Sequence, residues 1–138
     1  MKKILIMALV AVLILSACGK KAPSPQTVTF TLDSNPTTGF SWQVSQSEEL
    51  FRVDTQYKEN DHEDGMVGVG GKETITLTPL NSGTTVVTLT YARPWEGGEQ
   101  ADQLVYSFEI DKNLQVKMAD AYSMGVQETL ATPTPEIN

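Results

Sequence analysis

The chain has 138 residues, a formal net charge of −7 at pH 7, one histidine and one cysteine. This length suits one domain behind a short leader, and the absence of any basic cluster beyond Lys20-Lys21 argues against nucleic acid as a partner. A single histidine and a single cysteine leave little for a Cys-His or Ser-His-Asp catalytic arrangement, so we do not expect an enzyme.

The chain begins with a targeting segment. Lys2-Lys3 precede an apolar run over residues 4–15, which is too short to span a bilayer and is typical of a signal peptide. The run ends in a Leu-Ser-Ala-Cys box that resembles bacterial lipoprotein signals. The resemblance implies a signal peptide over 1–17, lipidation of Cys18, and a polar spacer within 18–26; an ordinary secretory signal with an incidental cysteine is the alternative. We therefore expect an exported protein that is held at the cell membrane or outer membrane only by its N-terminal lipid.

Seven short segments alternate apolar and polar side chains, as half-buried strands do. Their apolar positions, in chain order, are Val28, Phe30 and Leu32; Trp42 and Val44; Phe51, Val53 and Tyr57; Ile75 and Leu77; Val87, Leu89 and Tyr91; Leu104, Tyr106, Phe108 and Ile110; Leu114, Val116 and Met118. No segment has convincing helical periodicity. The sequence therefore predicts an all-β fold, an immunoglobulin-like antiparallel β-sandwich of about seven strands, with Trp42 as a core anchor.

The connections between these strands differ by parity. If successive strands run up and down, the first, third and fifth connections emerge at one end of the sandwich. The even connections are short and polar, whereas the odd connections, within 35–40, 59–71 and 93–102, have unusual compositions. We therefore expect a functional site at that one end.

The first odd connection is Asn35-Pro36-Thr37-Thr38-Gly39-Phe40. Pro36 fixes its own φ and favours an extended Asn35, while Gly39 can adopt a positive φ. A stiff, projecting loop results, which holds the small hydroxyl residues Thr37 and Thr38 where they can enter a narrow slot. The plainer alternative is a connection shaped only by proline and glycine.

The second odd connection contains Gly68-Val69-Gly70-Gly71 after the acidic run Asp61-His62-Glu63-Asp64. Its bare backbone can lie against another protein like an added strand, or can form a flexible tip. The acidic run is explained by solvation, so we expect no metal site and no cofactor.

The third odd connection begins Arg93-Pro94-Trp95. Arginine and tryptophan are the residue types that dominate binding energy at protein interfaces. The alternative is that Trp95 caps the end of the core.

Taken together and in this order, the three motifs resemble the signature loops of the chagasin family, which inhibits papain-like cysteine peptidases. The resemblance covers about residues 27–110. It implies a reversible, monomeric inhibitor whose loops form a wedge in the peptidase cleft. It places Thr37 and Thr38 beside the catalytic cysteine and histidine of the peptidase, supported on either side by Asn35, Pro36, Gly39 and Phe40. It places the second loop along the non-primed side of the cleft, through Gly68, Val69, Gly70 and Gly71. It places the third loop against the primed side, through Arg93, Pro94 and Trp95.

The two ends of the domain depart from the family pattern. Family members usually have a further strand before the first loop, whereas only eight residues separate Cys18 from Thr27. We hypothesise that residues 114–119 add a strand that compensates for this, which sets the domain at 27–119. The tail 120–138 is expected to be partly disordered, from Thr129 onward.

The rival interpretation is a surface-anchored immunoglobulin-like adhesion or assembly module without inhibitory activity. It predicts that alanine at Thr37, Thr38 and Trp95 changes nothing in a peptidase assay. The inhibitor interpretation predicts large losses.

Overall fold

The computed structural model describes residues 19, 21–95, 97–125 and 132–138. These residues form strands β1 (Val28–Ser34), β2 (Ser41–Gln46), β3 (Phe51–Glu59), β4 (Gly71–Pro79), β5 (Gly83–Ala92), β6 (Gln100–Ile110), β7 (Val116–Gly125) and β8 (Glu136–Ile137), with one 3-10 turn at Pro36–Thr38.

The strands pair in two four-stranded antiparallel sheets, ordered β3-β4-β1-β8 and β2-β5-β6-β7. We call them the β1 sheet and the β6 sheet. The predicted all-β, immunoglobulin-like sandwich is confirmed, with eight strands among the described residues rather than about seven.

The core lies between the two sheets and is built from the alternating apolar positions of the strands. Phe30 of β1 meets Tyr106 of β6 with ring centroids 4.7 Å apart, and Phe51 of β3 meets Phe108 of β6 at 5.6 Å. Burial of each such side chain is worth about 1.5–3 kcal/mol, which fixes the strand register because a slip of one residue would expose the whole set.

Three predicted core positions behave differently. Trp42 is only partly buried at the edge of the core, and its indole Nε1 donates to the Asp33 carbonyl at 3.0 Å. Tyr57 is 40% exposed, because the second half of the edge strand β3 is solvent-exposed. Leu114 is not in a strand: it adopts a φ of 57° in the β6–β7 turn and packs on the core from there.

The C-terminal part is more ordered than the sequence suggests. Strand β7 pairs with β6 from Val116 to Gly125, so the predicted domain limit at residue 119 is too early. The prediction of disorder is wrong for residues 132–138, where β8 pairs with Val28 and Thr29 of β1.

Prolines do not prevent this pairing. Thr27 and Asn138 exchange two backbone hydrogen bonds of 2.8 and 3.0 Å. In an antiparallel ladder such bonded pairs alternate with non-bonded pairs, so a residue of the tail that lies an odd number of positions from Asn138 does not use its backbone N–H to bond β1. Pro135 occupies such a position and is buried, which is where a strand tolerates the missing N–H. The Tyr106 hydroxyl donates to the Pro133 carbonyl at 2.8 Å and ties the tail to the core.

The signal peptide over 1–17 and the lipidation of Cys18 lie outside the described residues. None of the described segments is a helix with the length and apolar character that a bilayer crossing requires.

Candidate functional site

Three connections leave the same end of the sandwich. We call them loop 1 (residues 35–40), loop 2 (60–70) and loop 3 (93–99). Loop 1 touches loop 2 through a hydrogen bond from Asn35 Nδ2 to the Gly68 carbonyl, 3.1 Å. It touches loop 3 where Gly39 lies against the Trp95 ring. The three odd connections therefore meet at one end, as strand parity predicts, and form one continuous edge.

The backbone of loop 1 follows from its proline and glycine. Asn35 is extended (φ −139°, ψ 84°), as a residue before proline prefers, and Pro36–Thr38 form a single 3-10 turn. The Gly39 N–H donates to the Pro36 carbonyl at 2.9 Å, and its φ of 84° lies in the left-handed region that favours glycine. The turn has the geometry expected from its proline and glycine, and Pro36, Thr37 and Thr38 are exposed at its tip.

Asn35 organises the two threonines at the tip. The Thr37 hydroxyl is 2.6 Å from Asn35 Oδ1, and the Thr38 hydroxyl is 2.6 Å from the Asn35 carbonyl oxygen. The Asn35 backbone carbonyl is an acceptor, and Oδ1 is the acceptor end of the side-chain amide because Nδ2 donates to the Gly68 carbonyl of loop 2. Each threonine therefore uses its only hydroxyl hydrogen within the loop, and the Thr38 oxygen also accepts from the Phe40 N–H at 3.5 Å. Toward a partner, the two exposed hydroxyl oxygens can therefore act only as hydrogen-bond acceptors.

Loop 2 is held at its base and exposed at its tip. The Asn60 N–H donates to the Gly70 carbonyl at 3.0 Å, which closes the loop just before β4 begins. At the tip, Met66 is 57% exposed and Val67 is 94% exposed. These two apolar side chains were not among the predicted site residues, although two apolar residues within a Gly-rich polar connection are a readable signal of an interaction surface.

Of the four predicted loop 2 residues, Gly68 is exposed, and Val69 and Gly70 are half-buried beside loop 1. Gly71 differs: it is buried in β4 between Ser34 and Glu59, and a Cβ there would collide with the Lys58 carbonyl. Gly71 therefore packs the sheet and is not on the exposed edge.

Arg93 of loop 3 is turned toward its own protein. Its guanidinium carbon lies 4.7 Å from the centroid of the Phe40 ring and 5.7 Å from that of Trp95. Nη1 donates to Glu99 Oε2 at 3.0 Å, across the base of the loop. The resemblance puts Arg93 against the primed side of a peptidase, whereas here its guanidinium stacks within the protein and joins loop 1 to loop 3. Its Nε is buried and has no hydrogen-bond partner among the described residues.

Trp95 is the large exposed group of the edge. Its side chain is 55% exposed, and the outer ring lies over Gly39, where an added Cβ would sit 2.8 Å from Cη2. The glycine is therefore needed for the close approach of loops 1 and 3 as well as for its φ. Pro94, beside it, is exposed.

Beneath the loops lies a base of aromatic rings, formed by the loop 1 residue Phe40 and by Tyr91 and Trp42, which the sequence pattern assigns only to strands and core. Tyr91 stacks on Phe40 with centroids 5.3 Å apart and contacts Trp42 at 5.0 Å. Its hydroxyl accepts the Asn35 N–H at 2.9 Å.

The acidic run before loop 2's tip forms no candidate ion site. Within the described ranges, no three His, Cys, Asp or Glu side chains are grouped so that they could hold a metal ion. His62 Nδ1 instead lies 3.0 Å from the Asn60 carbonyl oxygen.

Comparison with known proteins gives a consistent result. Residues 21–110 match the family model described as chagasin family peptidase inhibitor I42. Amoebiasin-2 of Entamoeba histolytica is 40% identical over 81 residues, which cover 57% of this chain and 66% of that protein. Chagasin of Trypanosoma cruzi is 42% identical over 72 residues, covering 48% and 64%. The match thus spans slightly less than two thirds of these curated relatives.

A solved structure agrees with the sequence matches. The crystal structure of the cysteine protease inhibitor EhICP2 from Entamoeba histolytica superimposes with a TM-score of 0.53 and 36% identity, over 62% of this chain and 78% of the other. The matched residues 21–110 contain all three loops. The chain belongs to the chagasin family of peptidase inhibitors.

Proposed function

We propose that this protein is a reversible inhibitor of papain-like cysteine peptidases, and that loops 1, 2 and 3 block the active-site cleft of one peptidase molecule. The observation that carries the proposal is the continuous edge: loop 1 is hydrogen-bonded to loop 2 and packed against loop 3 at one end of the sandwich, with Thr37, Thr38 and Trp95 exposed. Family membership supplies the class of target, since EhICP2 is described as a cysteine protease inhibitor.

The chemistry of the loop 1 tip suits this role. A papain-like peptidase carries a thiolate-imidazolium pair, and the imidazolium is a hydrogen-bond donor. The Thr37 and Thr38 hydroxyls can accept from such a donor, because their own hydrogens are bound to Asn35. A side-chain oxygen in the slot offers the thiolate no scissile carbonyl, so the loop would bind without being cleaved.

The internal bonds of the edge support tight binding. The Asn35 hydrogen bonds, the Arg93–Glu99 ion pair and the Gly39–Trp95 contact hold the loops before any partner arrives. Preformed loops lose less conformational entropy on association.

We further propose that the chain is anchored by a lipid on Cys18. The spacer is fixed to the β6–β7 turn: the Gln26 N–H donates to the Leu114 carbonyl at 3.1 Å, and Gln115 Nε2 donates to the Ser24 carbonyl at 2.9 Å. Since Ser24 and Gln26 bond at this turn and β1 runs from there toward loop 1, the described part of the spacer meets the domain at the end opposite the edge, which favours an edge that points away from the membrane. A Cys18→Ser variant should then be released from membranes while its inhibitory activity is unchanged.

The function is tested by titrating papain and a cathepsin L-type peptidase with the full-length chain, purified in detergent, against a fluorogenic substrate. The triple variant Thr37→Ala, Thr38→Ala, Trp95→Ala is the comparison, and a variant carrying alanine at Thr84, on β5 away from the loops, is the matched control. Inhibition by the wild type and the control, lost in the triple variant, supports the proposal. If the wild type and the triple variant act alike, the inhibitory edge is refuted and the adhesion or assembly module becomes the better interpretation.

A further inference from the structure

Tyr91 occupies the place where the two sheets meet the three loops. It is near the end of β5, opposite Trp42 of β2, and its ring lies between Phe40 and Trp42. It is half-buried and belongs to none of the three loops. Its hydroxyl reaches from the β6 sheet to Asn35, the residue that follows strand β1 of the other sheet.

The hydroxyl fixes the point at which loop 1 leaves its strand. Residue pairing between β1 and β4 ends at Ser34 and Gly71, one residue before Asn35. The Asn35 N–H is bonded instead to the Tyr91 hydroxyl oxygen, at 2.9 Å across 56 positions of sequence. Pro36, the next residue, has no N–H with which to hold the backbone here.

Asn35 in turn carries the rest of the tip. Its side-chain oxygen and carbonyl accept from Thr37 and Thr38, and its side-chain nitrogen bonds to Gly68 in loop 2. A rotation of Asn35 would therefore disturb loop 1 and its contact with loop 2 together.

We propose that Tyr91 is a positioning residue for inhibition: its hydroxyl holds Asn35, and so presets the loop 1 tip in the binding-competent conformation. This rests on the proposed inhibitory function. Tyr91 acts before the complex forms, so loss of its hydroxyl lowers the fraction of molecules whose tip is ready to bind. Such a loss lowers the association rate constant and leaves the dissociation rate constant unchanged.

The test is Tyr91→Phe in the full-length chain, which keeps the ring stacking and removes only the hydroxyl. We expect the inhibition constant for papain to rise about 2- to 13-fold, the range for one partly buried hydrogen bond, through slower association. The matched control is Tyr106→Phe, which also loses one hydroxyl bond, to the Pro133 carbonyl. The control should lower the melting temperature while its association rate constant stays at the wild-type value.

A second measurement does not depend on inhibition. Amide hydrogen exchange at Asn35, followed by NMR in the free protein, should be faster in Tyr91→Phe than in the wild type and unchanged in Tyr106→Phe. Unchanged exchange at Asn35 overturns the positioning role, as does a rise in the inhibition constant that comes only from faster dissociation. If the wild type inhibits no papain-like peptidase, the proposed function fails, and faster exchange at Asn35 would still show that Tyr91 sets the loop.

Discussion

Gly39 is the residue at which backbone conformation and loop contact can be tested separately. Its φ of 84° costs about 1–2 kcal/mol for a residue with a side chain, and an added Cβ would lie 2.8 Å from Cη2 of Trp95. Trp95 is more than half exposed and can swing outward, so relief of this clash should cost little stability. It would, however, move Trp95 away from its place beside the loop 1 tip.

We therefore expect Gly39→Ala to lower the free energy of unfolding by about 1–2 kcal/mol and to raise the inhibition constant by at least about tenfold. The matched control is Gly83→Ala, at the start of β5 and away from the three loops, because Gly83 has a φ of 146° and an added Cβ would meet only the Leu50 side chain. The two variants should lose similar stability in urea denaturation, and only Gly39→Ala should lose inhibition of papain. Equal inhibition by the two variants would refute the argument that the Gly39–Trp95 approach shapes the edge.

Three further predictions address the rest of the account. Arg93→Lys keeps the charge but loses the planar stack on Phe40, so inhibition should weaken several-fold. Glu99→Gln removes only an exposed ion pair, so it should change the free energy of unfolding by less than about 1 kcal/mol. Equal, negligible effects of the two substitutions on inhibition would contradict the role of the stack. A chain ending at residue 131 lacks β8, the buried Pro135 and the Pro133 carbonyl that accepts the Tyr106 hydroxyl bond. Its melting temperature should therefore be lower than that of the wild type by more than about 5 °C. An unchanged melting temperature would show that the tail does not support the sandwich. Burial raises the pKa of Tyr106 from 10.0 to about 12, so the stability that its neutral hydroxyl contributes is complete below pH 10 and is lost between pH 10 and about 12. In denaturant titrations over this interval, Tyr106→Phe should therefore lose less stability than the wild type. Identical pH profiles of the two proteins would contradict this role of Tyr106.

The sequence predicts the sandwich well because its strands alternate with little ambiguity. Phe30 and Leu32 in β1, and Leu104, Tyr106 and Phe108 in β6, mark the inward faces, and all five are buried; Val105, on the other face of β6, is also buried and is the exception to the alternation there. Once seven strands are counted, the end at which the unusual loops gather follows from parity. The motif residues therefore lie together as expected, apart from Gly71 in its buried strand.

Side-chain direction within the loops could not be predicted. Arg93 turns inward because Phe40, from another loop, offers a ring face and Glu99 a carboxylate, and the sequence does not show that these meet. Tyr91 likewise appeared to be an ordinary inward strand residue, since its bond to Asn35 spans 56 positions.

The tail shows a different limit. Strand β8 has only two residues, and the composition of the tail around it favours disorder. Its order comes from tertiary contacts: Pro135 is buried, Ile137 packs on the core, and Asn138 bonds to Thr27. Local composition cannot reveal contacts of this kind.

Occlusion of the catalytic cysteine is the central claim, and alkylation of that cysteine tests it most directly. Papain would be treated with iodoacetamide alone and with increasing amounts of the full-length inhibitor, and the modified thiol measured by mass spectrometry. The account predicts that modification falls in proportion to added inhibitor and stops near one equivalent, and that the triple variant gives no protection. Alkylation at the unprotected rate in a saturated complex would show that the loops bind elsewhere.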